Sequence, residues 1–170
     1  IYHASQASSE YSLSVSLTYF EYGTLAELYV FRARDVSAIV LEVGLGGRLD
    51  AVNIIDADVA VITTIALDHT DWLGDTREKI GFEKAGIIRA SAPVVCADRD
   101  IPQSVIDHAA SLNAPLHCLG DAFEYVVNGE WWTFSLSGHA FPQAQIPQLP
   151  LPSVAAALYV IHLLSVPLAP

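Results

Sequence analysis

Two stretches decide how this chain is read: Ser37-Ala-Ile-Val-Leu-Glu-Val-Gly-Leu-Gly-Gly47 and Asp58-Val-Ala-Val-Ile-Thr-Thr-Ile65. Each is a short apolar run rich in β-branched residues, without the strict polar alternation of a half-exposed strand. That pattern predicts a strand covered on both faces, as in a parallel sheet. Gly44 to Gly47 stops the first run. Beyond the second, the spacing predicts a helix over 75–89, opened by Asp75 or Thr76 and carrying Arg89 in its last turn. A strand over 93–97, a helix over 102–112 with Pro102 near its first turn, and a short strand over 115–119 follow. Strand and helix in alternation predict an α/β fold with a doubly wound, mostly parallel sheet. Working back towards the start, Tyr19, Tyr22, Leu25, Ala26, Tyr29 and Val30 recur at helical spacing, with Thr18 placed as the cap. Residues 1–17 are rich in Ser and read as a loop-like lead-in. In the tail, Asn128-Gly129 between apolar runs 123–127 and 131–136 predicts a small β-hairpin. Four prolines between Pro142 and Pro152 read as a linker ahead of a closing helix over 153–164.

The chain has 170 residues, 52% of them hydrophobic and 16% charged, which excludes disorder as its main state. Eight Lys and Arg against nineteen Asp and Glu give a net charge of -11, so neither nucleic acid nor an anionic membrane surface is an expected partner. No uncharged apolar stretch approaches the roughly 18 residues of a membrane span. Cys96 and Cys118 fall on runs that read as buried strands; a pairing between them is open to the sequence, but core thiols in a reducing cytoplasm are the expectation. The sequence contains no methionine, and its mean hydropathy of +0.39 is high for a soluble domain. Together these predict a fragment with apolar surface meant to be covered, prone to association when isolated.

In open α/β sheets, ligands bind beyond the carboxyl ends of the strands. Glu42 sits near such an end, and burying a carboxylate there is costly without a cation beside it. Asp68-His69-Thr70-Asp71 follows the second apolar run. Lys84, one of only two lysines, lies in the helix after it. Each has a plainer reading: a carboxylate facing a wet cleft, a helix-capping loop, and the charged face of an amphipathic helix. Gly44, Gly46 and Gly47 open no helix as a dinucleotide fingerprint must, so a tight turn is expected. Neither lysine follows a glycine, so the G-x-x-x-x-G-K-[ST] phosphate cradle does not occur in these residues. Asp68, His69 and Asp71 also allow a metal-dependent hydrolase, provided a further His or carboxylate joins them.

Three ordered segments narrow these choices: Leu41-Glu-Val-Gly-Leu-Gly-Gly-Arg-Leu-Asp50, Leu67-Asp-His-Thr-Asp-Trp-Leu-Gly74 and Glu83-Lys-Ala-Gly-Ile87. In these the chain resembles the bifunctional folylpolyglutamate synthase/dihydrofolate synthase family, relatives of the Mur ligases. The match is close from about Ser16 to Ile101 and looser to Leu164. The resemblance implies a Mur-ligase-type central ATPase domain that is partial over residues 1–170, with a P-loop segment upstream and a separate C-terminal domain downstream. It implies addition of L-glutamate to dihydropteroate or folates, using ATP and Mg²⁺, through an acyl phosphate.

The same resemblance assigns residues. Glu42 and His69 would bind Mg²⁺, with Lys84 as a third ligand once carbamylated. A carbamate is a hard oxygen donor, whereas an ammonium cannot ligate a cation. Thr18, Tyr19, Phe20 and Glu21, with Leu49, Asp50 and Ala51, match the segments that hold the pterin. There Phe20 can stack on the ring and Asp50 can accept from its nitrogens. The nucleotide contact that the family makes with an Asn falls on Ser153, whose side chain is shorter. Phe82 stands for the family's Arg and Val52 for its Thr. Family members are usually monomers. The other reading is a non-catalytic pterin- or partner-binding module.

Overall fold

The computed structural model describes residues 15–165. In chain order these form α1 (Tyr19–Arg34), a 3₁₀ turn (Ala51–Ile54), β1 (Ala60–Ile62), the one-turn α2 (Thr70–Leu73), α3 (Arg77–Ala85), β2 (Val94–Cys96), α4 (Gln103–Ser111) and β3 (Leu116–Cys118). Then come β4 (Phe123–Asn128), β5 (Trp131–Leu136), β6 (His139–Ala140), β7 (Ala144–Gln145) and α5 (Leu151–Leu163). The lead-in over residues 1–14 lies outside the described residues.

β1, β2 and β3 make a parallel sheet in that order, with Val61 opposite Val95 and Val95 opposite His117. Alternation along β2 explains the architecture. Val94 and Cys96 point into a core with Ile62, Ile80, Ala85, Val105 and Ala109, so α3 and α4 cover one face. Val95 and Ala97 point the other way, into a core with Phe123, Phe134, Ala155, Ala156 and Tyr159. With apolar layers on both faces, β2 is fully buried, as its uninterrupted Val-Val-Cys requires. The α/β fold with a mostly parallel sheet is therefore present.

The first apolar run departs from its reading. Residues 38–43 form no regular element, and no strand among the described residues pairs with them; Val40 is 94% exposed. A strand exists only through hydrogen bonds to a neighbour. β2 spends its two edges on β1 and β3, and the 37–43 run does not take the outer edge of β1. The second run pairs only over Ala60–Ile62.

The tail is richer than a hairpin. β4 and β5 form the expected hairpin, but Asn128 is paired, opposite Trp131, and Gly129-Glu130 makes the connection; the pair belongs to a four-stranded antiparallel sheet. β6 and β7 both add to the other edge of β5, inside and just before the proline-rich stretch. Pro142 falls between them, where no ladder donor is required.

Helix ends follow local chemistry. Thr76, not Asp75, opens α3, its hydroxyl accepting from the Lys79 N–H at 3.2 Å. α3 stops at Ala85, and Arg89 beyond it donates to Asp56 and to the Asn53 carbonyl and side chain. The Glu78 carboxylate accepts from the Gln103 and Ser104 N–H groups at the start of α4. Those hydrogen bonds, Ser104's first, hold its carboxyl below the usual range. Cys96 and Cys118 are free thiols opposite one another in register. Burial pushes Cys118 up to about 11, and Cys96 upward too. Among the described residues no helix is long and apolar enough to cross a membrane.

Candidate active-site cleft

The glycine-rich segment turns back on itself and is pinned at both ends. Gly46 and Gly47 have φ of 70° and 152°, where only glycine is comfortable. A Cβ on Gly46 would lie 2.8 Å from Leu73 Cδ2, and one on Gly47 would lie 2.9 Å from the Glu83 carbonyl oxygen. The turn thus sits directly on α2 and the end of α3. Arg48 locks it there, donating from Nε and Nη2 to the Glu83 carboxylate at 3.0–3.2 Å, while its N–H donates to the Glu83 carbonyl at 2.9 Å.

Asp50 organises the inside of the turn. Its Oδ2 accepts from the Gly44 and Leu45 N–H groups, both at 3.0 Å, and its Oδ1 from Val52 N–H at 3.0 Å. Three of a carboxylate's roughly four acceptor positions are therefore spent on the backbone. Asp50 fixes the loop first; one acceptor position is left for a ligand.

The start of α1 closes the opposite side. Thr18 and Glu21 form a capping box: Glu21 Oε2 accepts from the Thr18 N–H at 2.7 Å and its hydroxyl at 2.8 Å, and Thr18 Oγ1 accepts from Glu21 N–H at 3.3 Å. The Thr18 N–H, and then its hydroxyl, hold the Glu21 carboxyl below its usual range. Phe20 is set over Gly44, whose missing Cβ would lie 3.0 Å from Phe20 Cζ.

Between these parts lies a cleft of about 320 Å³, at the small end of ligand pockets. Thr18, Phe20 and Glu21 line one side, Leu49, Asp50 and Ala51 another, and Leu45, Gly46, Gly47, Trp72, Leu73 and Glu83 the rest. Segments distant in sequence are thus brought together as the motifs suggested. Tyr19 is not on the wall; it is 94% exposed on the outer side of α1. The walls carry the carboxylates of Glu21, Asp50 and Glu83 and no Lys or Arg. That lining favours a neutral ligand rich in N–H donors over an anion.

The residues expected to hold a metal sit around this cleft without lining it. Glu42 is exposed on the irregular segment ahead of Gly44. His69, exposed and with a left-handed backbone at φ 51°, precedes α2. Lys84 is half-buried near the end of α3 and, among the described residues, has no carboxylate partner, whereas Lys79 pairs with Asp75. No three His, Cys, Asp or Glu side chains among the described residues gather closely enough to hold a metal ion. The hydrolase reading therefore loses the further ligand it needs. A hard cation fits this donor set only if Lys84 supplies an oxygen, because its ammonium would repel it. Ser153, half-buried in the first turn of α5, is away from the cleft.

A family model described as the Mur ligase middle domain matches residues 5–144. The chain belongs to the Mur ligase middle-domain family. Among its relatives, the dihydrofolate synthase/folylpolyglutamate synthase of Escherichia coli (strain K12) is 49% identical over 144 residues, 85% of this chain and 34% of that protein. The solved structure of E. coli FolC in complex with DHPP and ADP superposes with a TM-score of 0.87 at 44% identity, covering 92% of this chain and 38% of that one. A Yersinia pestis bifunctional folylpolyglutamate synthase/dihydrofolate synthase complexed with AMPPNP and Mn ion gives 0.85 at 46%, again over 92% and 38%. The chain spans about a third of the length of the curated relatives it matches.

Within this Mur ligase domain, sequence reasoning passed over Leu45, Trp72, Leu73 and Glu83 as wall residues. Trp72 carried a signal, a large aromatic one turn beyond Asp68-His69. Glu83 carried none, since its place depends on Arg48 crossing to it from another segment.

Proposed function

We propose that this chain is the acceptor-holding part of an ATP- and Mg²⁺-dependent ligase that joins L-glutamate to dihydropteroate or a folate. One observation carries the reading: the cleft that gathers the Thr18–Glu21 and Leu49–Ala51 segments is lined by the carboxylates of Glu21, Asp50 and Glu83 and by two aromatic rings, with no Lys or Arg on its walls. A pterin is planar, neutral and edged with N–H donors, so it suits these walls better than a phosphate or a free glutamate does. The relatives named for this chemistry, and their complexes with DHPP, ADP, AMPPNP and Mn, support it.

In this reading Phe20 lies against the ring, and the remaining acceptor position of Asp50 with Glu21 and Glu83 meets its donors. The substrate carboxylate takes the γ-phosphoryl group of ATP, and the glutamate amine then attacks the carbonyl, losing a proton as phosphate departs. Positioning does most of this work. Glu42 and His69, with Lys84 as a carbamate, would hold Mg²⁺, which supplies neutralisation of phosphoryl charge. The whole protein acts as a cytoplasmic monomer, and Ser153 is its weak nucleotide contact.

The test is phosphate release with MgATP, dihydropteroate and glutamate, run on the 170-residue chain and on the full product of its gene. Turnover in the full product, abolished by Lys84→Ala, is the expected result. Turnover in neither, with dihydropteroate still bound, would establish instead a pterin-binding module without catalysis.

A further inference from the structure

We infer that Trp72 is a substrate-stacking residue, the second aromatic wall that faces the pterin ring from the side opposite the Phe20 segment; this rests on the pterin reading of the cleft. Trp72 is 79% exposed, an unusual state for the largest apolar side chain when its neighbour Leu73 on the same single turn is half-buried against Gly46. It is also not an isolated surface aromatic. It lines the cleft, and it also lines a neighbouring cleft of about 430 Å³ with Phe82, Lys79 and Glu78.

The anchoring of α2 fixes the backbone that carries Trp72. Trp72 and Leu73 donate their N–H groups to the His69 carbonyl at 2.9 and 3.0 Å, and Gly74 N–H donates to the Thr70 carbonyl at 3.1 Å. Leu73 wedges against the Gly46 position. The backbone under Trp72 is therefore held by the same glycine turn that carries Asp50. A flat ring entering over Phe20 has the indole as the one other aromatic surface lining the cleft. An indole with carboxylates beside it selects a neutral, donor-edged heterocycle and turns away an anion. Stacking of a base-like ring on one aromatic side chain is worth on the order of tenfold or more in affinity.

The experiment titrates the full gene product with dihydropteroate, following tryptophan fluorescence and, in parallel, calorimetry. The other two tryptophans of these 170 residues, Trp131 and Trp132, both lie on β5, outside the cleft. The expected result is quenching that Trp72→Phe abolishes and Trp131→Phe leaves intact. Calorimetric Kd should weaken about tenfold in Trp72→Ala and less in Trp72→Phe. Because Trp72 is largely exposed, both variants should keep the parent Tm. Dihydropteroate binding to the parent and to Trp72→Ala with equal Kd would overturn the Trp72 assignment while leaving the pterin reading standing. Failure of the parent itself to bind would overturn both.

Discussion

The runs at 37–43 and 58–65 are alike in length, branching and hydropathy, yet the first lies open and the second feeds a sheet. Val40 is 94% exposed and Ile62 is 2% exposed. The difference lies in what stands beside each. Ile62 has β2 along one edge and Ile80, Ala85 and Val105 across one face. The same contrast separates α1, where Thr24 is the buried residue and Tyr19, Tyr22 and Tyr29 are exposed, from α5, which buries Ala155, Ala156 and Tyr159. Apolar sequence states a demand for cover; the neighbours decide whether it is met.

The strongest way to break this comparison is to place a charge in each region. Val95→Asp puts a carboxylate into the core with Phe123, Phe134 and Tyr159 and should cost at least about 4 kcal/mol. Val40→Asp should stay within about 0.5 kcal/mol in the same urea melt. Similar losses in both would mean that the first run is covered in solution.

A middle-sized effect sharpens the account where β1 ends. There Asp98 Oδ2 accepts from the Ile65 N–H at 2.8 Å and from Arg77 at 3.0 Å, while Arg77 Nε donates to the Ile65 carbonyl at 2.9 Å. Both backbone groups of Ile65 are thus satisfied by side chains. Asp98→Ala strands the Ile65 N–H and leaves the Arg77 guanidinium with Asp100 as its one carboxylate partner, and should lower stability by about 2 kcal/mol, read from the urea midpoint at constant slope.

The near-neutral Val40→Asp apart, the smallest loss belongs to the exposed helix α1. Thr18→Ala removes the cap of α1 and should cost about 1 kcal/mol, seen as lost helical dichroism at 222 nm ahead of the main transition. Loss only within the main transition would show that α1 is bound to the core more firmly than its exposure suggests.

Much of this was legible beforehand, for reasons visible in particular residues. The alternation of Val94-Val95-Cys96 with helices on either side is local, so it survives in the sequence. Thr18 as a cap was readable, and the T-x-x-E spacing to Glu21 carries the rest of the box. Pairing is not local: the strands at His139–Ala140 and Ala144–Gln145 were hidden in a proline-rich stretch because only β5 makes them strands. In the cleft, Phe20 and Asp50 could be placed from their motifs. The engagement of Asp50 with Gly44, Leu45 and Val52, and of Glu83 with Arg48, depends on a turn whose path needs coordinates.

One consequence follows from β2 lending alternate side chains to both cores. Removing either layer exposes a face of the same three residues, so neither layer has a stable half to leave behind. The helices α3 and α4 and the antiparallel sheet with α5 are therefore bound into one cooperative unit, lost together in a single transition.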